Sequence, residues 1–342
     1  MHTPRVAVVI VHWNRINLLE KFLPSVMAST WPNLEVVLAD NASTDGSVAY
    51  VKQHFPNVTI VQLDRNYGYA GGYNHALKHV QADYYILLNN DIEVPPGWIE
   101  PLAAALQADP ELGACMPKML DYHDKALFEY AGASGGFIDH YGYPFCRGRL
   151  FDTLEHDKGQ YNEPVDIFWA TGACLCIRAE LFHKAGGFDE HFFAHMEEID
   201  LCWRLQLLGY RLRVIPAARV YHVGGGTLHK LNAHKTYLNF RNSLLMLYKN
   251  LEPEKLWWIV FVRHCLDVVA SLQFLLKGKF AHSWAIHRAH GSFLLHLGKW
   301  NRERKKTQQL NTHRPLHGVY PHSVVWQYFG KTRKQFTQLP GL

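Results

Sequence analysis

Acidic residues are scarce in the last third of this 342-residue chain, and long apolar runs are scarce at its start. The stretch Val6 to Val11 is too short for a signal sequence and is broken at once by His12, Trp13, Asn14 and Arg15, so a cytoplasmic catalytic part is expected. Cysteines at disulfide or zinc-finger spacing are lacking. The six present (115, 146, 174, 176, 202 and 265) read as buried free thiols, with Cys174 and Cys176 on one face of an apolar strand. The chain also lacks the lysine of a P-loop and the glycine spacing of the dinucleotide fingerprint, so neither an NTPase nor a dehydrogenase is supported. Residues 230–342 hold 18 Lys and Arg against 4 Asp and Glu, a net of +14, whereas residues 1–229 hold 17 against 26, a net of −9. These are two different surfaces.

What is present is an alternation of short apolar runs and amphipathic stretches. Arg5 to Trp13, Leu34 to Ala39, Val58 to Gln62 and Tyr84 to Leu88 read as buried strands. Helices are expected between them, over Asn14 to Met27, Val48 to His54 and Ala70 to Val80, which predicts an α/β chain with a parallel, doubly wound sheet. Polar clusters follow the strands. Asp40 to Ser47 comes after the second, and Asn89, Asn90, Asp91 and Glu93 come after Tyr84 to Leu88. Ligands in such sheets bind at the strands' carboxyl ends, and hard oxygen groups there suit Mg²⁺ or Mn²⁺ carried by a phosphate-bearing substrate. Helix capping by Asp45 or Ser43 is the competing use of those groups. The glycine-rich turn Asn66 to Asn74 would let backbone amides approach phosphate.

Farther on, Gly97 to Ala108 predicts a helix and Gly113 to Leu120 a strand, while residues 121–165 lack periodicity and suggest a loop-rich insertion or a hairpin. Strand character resumes over Phe168 to Ile177, and Arg211 to Ile215 and Arg219 to Tyr221 read as two short strands. Glu197, Glu198 and Asp200 crowd the first turn of a helix, where its dipole favours carboxylates. Three acids in four residues exceed what capping needs, so one is a candidate general base. His222 follows a strand, leads into a loop of three glycines and could face a metal.

Taken together, these residues resemble glycosyltransferase family 2, the inverting enzymes with the GT-A fold, and its rhamnosyltransferase-like branch. The likeness runs from Val6 to about Asn242. It implies a Rossmann-like, mostly parallel sheet over 1–229, with a nucleotide-binding half to about residue 120 and an acceptor half over about 121–229. A helical, basic, membrane-associated region over 230–342 follows. The resemblance places the nucleotide-sugar against His12, Asn14, Asp40, Asn41, Asp45, Asn66, Gly71, Gly72, Asn74, Asn89 and Asn90. Asn89-Asn90-Asp91 stands where the family carries Asp-x-Asp, leaving Asp91 as the metal ligand, with His222 completing the shell around Mn²⁺ or Mg²⁺. Glu197-Glu198-Ile199-Asp200 resembles the family's acidic block, so Glu198 or Glu197 is the base. Trp169, Thr171 and Gly172 fall on the acceptor side, and Arg241-Asn242 resembles a late motif to which the sequence gives no role.

The implied chemistry is transfer from a dTDP- or UDP-sugar to a hydroxyl of a glycan or polyprenyl-linked acceptor in cell-surface polysaccharide synthesis. A nucleotidyltransferase would want a basic glycine-rich loop near the N-terminus, which is missing; a non-catalytic glycan- or partner-binding relative is the other reading. In the basic region, residues 256–276 form an apolar helix of nearly spanning length with Arg263 and Asp267 near its middle. It is expected to lie on the anionic inner face of the cell membrane, helped by flanking tryptophans and by Lys277, Lys279, Arg288 and the run Arg302 to Lys306. Packing on the catalytic domain or forming a homodimer is the rival, and a transmembrane anchor comes third. No nucleic-acid-binding motif is present.

Overall fold

The computed structural model describes residues 3–224 and 233–342. The N-terminal half alternates as expected: β1 (Val6–His12), α1 (Ile16–Met27), β2 (Leu34–Asp40), α2 (Ser47–His54), β3 (Thr59–Gln62), α3 (Gly68–Ala76), β4 (Tyr84–Leu88), β5 (Ile92–Glu93), α4 (Ile99–Ala108) and β6 (Leu112–Asp121). Leu19, Phe22, Leu23 and Val26 recur at helical spacing and form the buried face of α1. All five residues of β4 are buried, which is why its sequence is apolar without alternation.

Four short strands come next, β7 (Gly136–Asp139), β8 (Pro144–Cys146), β9 (Arg149–Leu150) and β10 (Thr153–Leu154), then β11 (Val165–Ile167), β12 (Cys174–Arg178), α5 (Ala179–Lys184), α6 (Glu197–Leu207) and β13 (Arg211–His222). The main sheet runs β11-β13-β6-β12-β4-β1-β2-β3, with β5 added at the end of β13. Parallel pairing links β4, β1, β2 and β3, and also β6 and β13. Strand β12 runs antiparallel to both β4 and β6. It is an antiparallel member of the mostly parallel sheet because the chain enters it from the loop beside Asn89, at the carboxyl edge, and must run back down the sheet. The Phe168 to Ile177 stretch is therefore a bent approach followed by a strand that begins only at Cys174. Conversely, the two strands expected around Pro216 are one, with a register break between Ile215 and Arg219 where proline interrupts the ladder.

Helices α7 (Ala233–Asn250), α8 (Pro253–Leu276), α9 (Phe280–Leu295) and α10 (Leu297–Gln308) follow, and then β14 (Val319–Tyr320). Of the two expectations for residues 121–165 the hairpin holds: β7 to β10 pair in succession as a second, antiparallel sheet, and β14 pairs in parallel with β7 at its edge. Phe336 closes this layer, 5.0 Å from the Phe137 ring, while its amide donates to Glu155 Oε1 (3.0 Å) and that of Val324 donates to Asp139 Oδ2 (2.9 Å). The end of the basic region thus packs against residues 121–165. Its last stretch is held also by Thr312 N–H to Leu207 O (2.8 Å) and His317 N–H to Gln206 Oε1 (2.7 Å). The boundary expected at 229/230 and the glycines Gly225 and Gly226 lie outside the described residues. All six cysteines are free, and only Cys265 is exposed.

Helix α8 is the one helix among the described residues long and apolar enough to cross a membrane. Its burial is inverted. Arg263, Asp267 and Ser271 face the protein, whereas Trp257, Trp258, Phe261, Val268, Val269, Leu272, Leu275 and Leu276 are exposed, within an arc of about 120° at 100° per residue. Arg263 lies 3.8 Å from the Tyr143 ring centroid and donates to Gly142 O (3.0 Å) and Ser243 Oγ (2.7 Å). Asp267, four residues on, is a loose 4.0 Å contact of Arg263. A buried polar stripe docked on protein does not suit a helix surrounded by lipid.

Candidate active site

The carboxyl ends of β1, β2, β4, β6 and β13 meet at one edge and bring together residues far apart in the chain. His12 ends β1 and is buried. Asn90 Nδ2 donates to its Nδ1 (2.9 Å), and its Nε2 lies 2.9 Å from Ser47 Oγ, which in turn bonds Asp45. Burial lowers the pKa of His12 against the opposing pull of Asp45 and Asp40, so a neutral ring with its proton on Nε2 fits this relay. Asp45 Oδ2 also accepts the Arg15 and Ile16 amides at the start of α1, and Oδ1 accepts the Ser47 amide of α2 (3.1 Å). Asp45 thereby caps two helices. What burial it has opposes ionisation, yet the bonds from Ser47, Ile16 and Arg15 hold its carboxyl well below the usual range.

Asn14, in a left-handed conformation (φ 43°), accepts the Thr44 amide at 2.8 Å, and Asp40 accepts the Ser43 amide at 3.1 Å. Asn41 donates to Gly68 O at 2.9 Å and presses on Gly72, where a Cβ would lie 2.8 Å from its amide nitrogen. Gly71 and Gly72 lie inside α3 and are buried, so the close approach they permit is of helix to sheet and loop rather than of amides to open space. Asn66 accepts the Gly68 amide (2.8 Å) at the head of α3. Asn74 is engaged elsewhere: its amide bonds both backbone groups of Phe188 (2.8 and 2.9 Å) and Glu190 Oε1 (3.1 Å), joining α3 to the approach to α6.

Beyond β4, the Asn89 amide donates to Ala173 O (2.9 Å), and Asp91 is buried with Oδ1 3.1 Å from His222 Nε2. β5 pairs with the end of β13, and that pairing sets Asp91 beside His222. The other ring nitrogen of His222 lies 3.1 Å from Glu129 Oε1, in a buried row of carboxylate, imidazole and carboxylate. Burial opposes charge on His222, but Glu129 and Asp91 outweigh it and push its pKa up to about 10. A divalent cation between Asp91 and Nε2 would take the proton's place, with Glu129 orienting the ring from behind. No group of three or more His, Cys, Asp or Glu forms a metal cluster among the described residues. Two protein ligands suit an ion that completes its shell with phosphate oxygens and water. Glu93, by contrast, is paired with Lys125.

The acidic block separates by environment. Asp200 is buried among Arg204 Nε (2.9 Å), Lys249 Nζ (3.0 Å) and Asn250 Nδ2 (2.8 Å), and so is tied down. Glu197 and Glu198 each keep a buried Oε2 with no hydrogen-bond partner. Burial, together with Glu198, raises Glu197 far above the carboxylate range, while burial pushes Glu198 up to about 7. Glu198 Cβ comes within 3.5 Å of the space a Cβ on Gly172 would fill, and Gly172 O accepts the Tyr69 hydroxyl at 2.5 Å. The approach to α6 is strained, with Phe193, His195 and Met196 at φ 64°, 71° and 74°. Each such residue costs on the order of 1–3 kcal/mol unless its surroundings enforce it.

Of the acceptor-side expectations, Gly172 lies beside Glu198 and Tyr69, but Trp169 is a core side chain. Trp169 donates to Phe137 O (2.9 Å) and presses its ring on Gly136. Thr171 is buried and accepts the Ala173 amide at 3.2 Å. Sequence reasoning missed Glu129, which sits in a stretch without periodicity, and Tyr69, which looked like part of a glycine-rich turn.

A family model described as "Glycosyl transferase family 2" matches residues 7–184. The N-acetylglucosaminyl-diphospho-decaprenol L-rhamnosyltransferase of Mycobacterium tuberculosis is 31% identical over 220 residues, covering 60% of this chain and 71% of that protein. Among solved structures, GalNAc-T7 with UDP, GalNAc and Mn²⁺ superposes with a TM-score of 0.58 at 18% identity, over 72% of this chain, which spans about half (48%) of that one. The mannosyltransferase PcManGT of Pyrobaculum calidifontis, with GDP-Man and Mn²⁺, gives 0.52 at 17% identity over 86% of this chain and 88% of its own. With more than half of its length inside the family model and a GT-A arrangement of strands, the chain belongs to glycosyl transferase family 2 and is a glycosyltransferase.

Proposed function

We propose that the enzyme transfers a sugar with inversion from a dTDP- or UDP-sugar to a hydroxyl of a glycan or polyprenyl-linked acceptor in surface-polysaccharide synthesis, with Glu198 as base. The observation that carries this reading is a carboxylate of pKa about 7, with a buried oxygen that has no hydrogen-bond partner, set beside Gly172, whose neighbour Ala173 accepts the Asn89 amide at the end of β4. A carboxylate in that range is ionised often enough to accept a proton and basic enough to draw one from a hydroxyl. Glu197, held protonated by burial and by its neighbour, leaves Glu198 as the base of the pair. Asp91 and His222 would hold Mn²⁺ or Mg²⁺, which neutralises the departing diphosphate. The loops after β1, β2 and β4 would seat the nucleotide, their residues fixed by the relay through His12. A rhamnosyl donor is favoured by the similarity to the mycobacterial rhamnosyltransferase.

Thermal unfolding with UDP, dTDP, GDP and CMP, each with and without Mn²⁺, tests the reading, because a ligand of the native state raises stability. One uridine or thymidine diphosphate should shift the transition only with metal, and Asp91→Ala should abolish the shift. A shift that survives in Asp91→Ala, or none with any nucleotide, would overturn it.

The cytoplasmic, peripheral placement rests on α8. Its outward aromatic face, with Lys277 and Lys279 exposed at its end, suits the interface of an anionic bilayer. Vesicles rich in anionic lipid should pull the protein down and neutral ones should not. A concentration-dependent dimer without vesicle binding would assign the face to a second copy instead.

A further inference from the structure

The late motif Arg241-Asn242 has a clear structural partner in the strained approach to α6. Asn242 is fully buried near the middle of α7. Its single Nδ2 group points at three backbone carbonyls of one turn, Phe192 O (2.9 Å), Ala194 O (2.8 Å) and His195 O (2.8 Å). Its Oδ1 accepts the Arg241 guanidinium twice, from Nε (2.9 Å) and Nη2 (2.6 Å), so the amide cannot turn round without facing oxygen to oxygen. Arg241 Nη2 extends the grip to His191 O (2.7 Å). The carbonyls held in this way belong to the turn that passes through the positive-φ residues Phe193, His195 and Met196, and Glu197 and Glu198 come next. Two helical turns further along α7, Lys249 and Asn250 take hold of Asp200. Helix α7 therefore grips α6 on both sides of the pair of free carboxylates.

We propose that Asn242, braced by Arg241, is a positioning residue for the transfer step: it fixes the backbone from which Glu198 reaches the acceptor hydroxyl. This rests on the reading of Glu198 as base. No part of Asn242 touches the nucleotide-seating loops after β1, β2 or β4, so its effect falls on turnover and not on donor binding.

The sharpest test is Asn242→Asp. It keeps the size and the Arg241 contact but replaces the donor with an oxygen facing three carbonyls. With the sugar nucleotide whose diphosphate shifts the melting transition, kcat should fall about 100-fold, the effect expected of a misplacement near 1 Å. The donor KM and the Mn²⁺-dependent nucleotide shift should stay within twofold of wild type. Combining Asn242→Asp with Glu198→Gln should cost little beyond Glu198→Gln alone, since both act through one group. If Asn242→Asp does not fold, Arg241→Met, which leaves the amide in place but unbraced, should lower kcat about tenfold with the same unchanged KM. Unchanged kcat, a parallel loss of donor affinity, or full additivity with Glu198→Gln would overturn the proposal. Full turnover in Glu198→Gln alone would instead overturn the choice of base.

Discussion

Glu198→Gln should lose activity and gain stability in the same pH range. The native carboxyl titrates near 7 because burial penalises its charge, against an ordinary value of 4.5. In the unfolded chain the group ionises near 4.5, whereas the folded protein holds its proton until about 7. Stability is therefore full below pH 4.5, declines as pH rises between the two values, and stays low above 7. A rise from 4.5 to about 7 corresponds to roughly 3 kcal/mol at most. Glutamine keeps the shape and never ionises. At pH 8 the variant should thus exceed wild type by up to ~3 kcal/mol in urea unfolding, while at pH 5 the two should differ little. Turnover should move oppositely. In wild type about one molecule in ten carries the base at pH 6 and about nine in ten at pH 8, so kcat should rise about tenfold across that range; the variant should lie ~10²–10⁴ below it. A variant that keeps both the activity and its acid limb, or whose stability tracks wild type at every pH, would refute the assignment of burial to that carboxylate and of the carboxylate to catalysis.

Glu129→Gln should leave nucleotide recognition intact but raise the Mn²⁺ concentration required for the nucleotide-dependent melting shift by ~10–100-fold, as loss of a partner behind a metal-bound histidine does. An unchanged Mn²⁺ midpoint would show that Glu129 does not orient His222. Lys249→Met leaves Asp200 and Asp189 buried with one cation fewer, and should cost ~3–5 kcal/mol in urea unfolding. A loss below 1 kcal/mol would mean that Arg204 and Asn250 satisfy Asp200 without the lysine. Gly136→Ala would set a methyl 2.2 Å from the Trp169 indole. It should destabilise by about 1–3 kcal/mol or more, with a changed tryptophan emission as the accompanying sign.

The strand ends were legible because both of their signals are local. An apolar run stopping at Asn89-Asn90-Asp91 and another stopping at Asp40 need nothing distant to be recognised, and the structure brings both to one edge. The acidic block was legible as a cluster, but not the division of labour within it. Arg204, one helical turn from Asp200, is legible from spacing, but Lys249 and Asn250, which also hold that carboxylate, lie 49 and 50 positions along the chain, and no periodicity announces them. Trp169 was placed on the acceptor side by its motif alone, and its packing on Gly136, 33 positions earlier, is a long-range contact that no local pattern announces. Glu129 carried no signal at all. For α8, composition suggested a lipid-facing helix, and only its contacts reveal that Arg263 and Asp267 occupy the side turned to protein.

The return of the chain to pair β14 with β7 fastens the helices α7 to α10 at both ends. A region anchored once can swing; one anchored twice is a truss. Whatever the outward face of α8 rests upon, the cleft then stands at a set height and tilt above it.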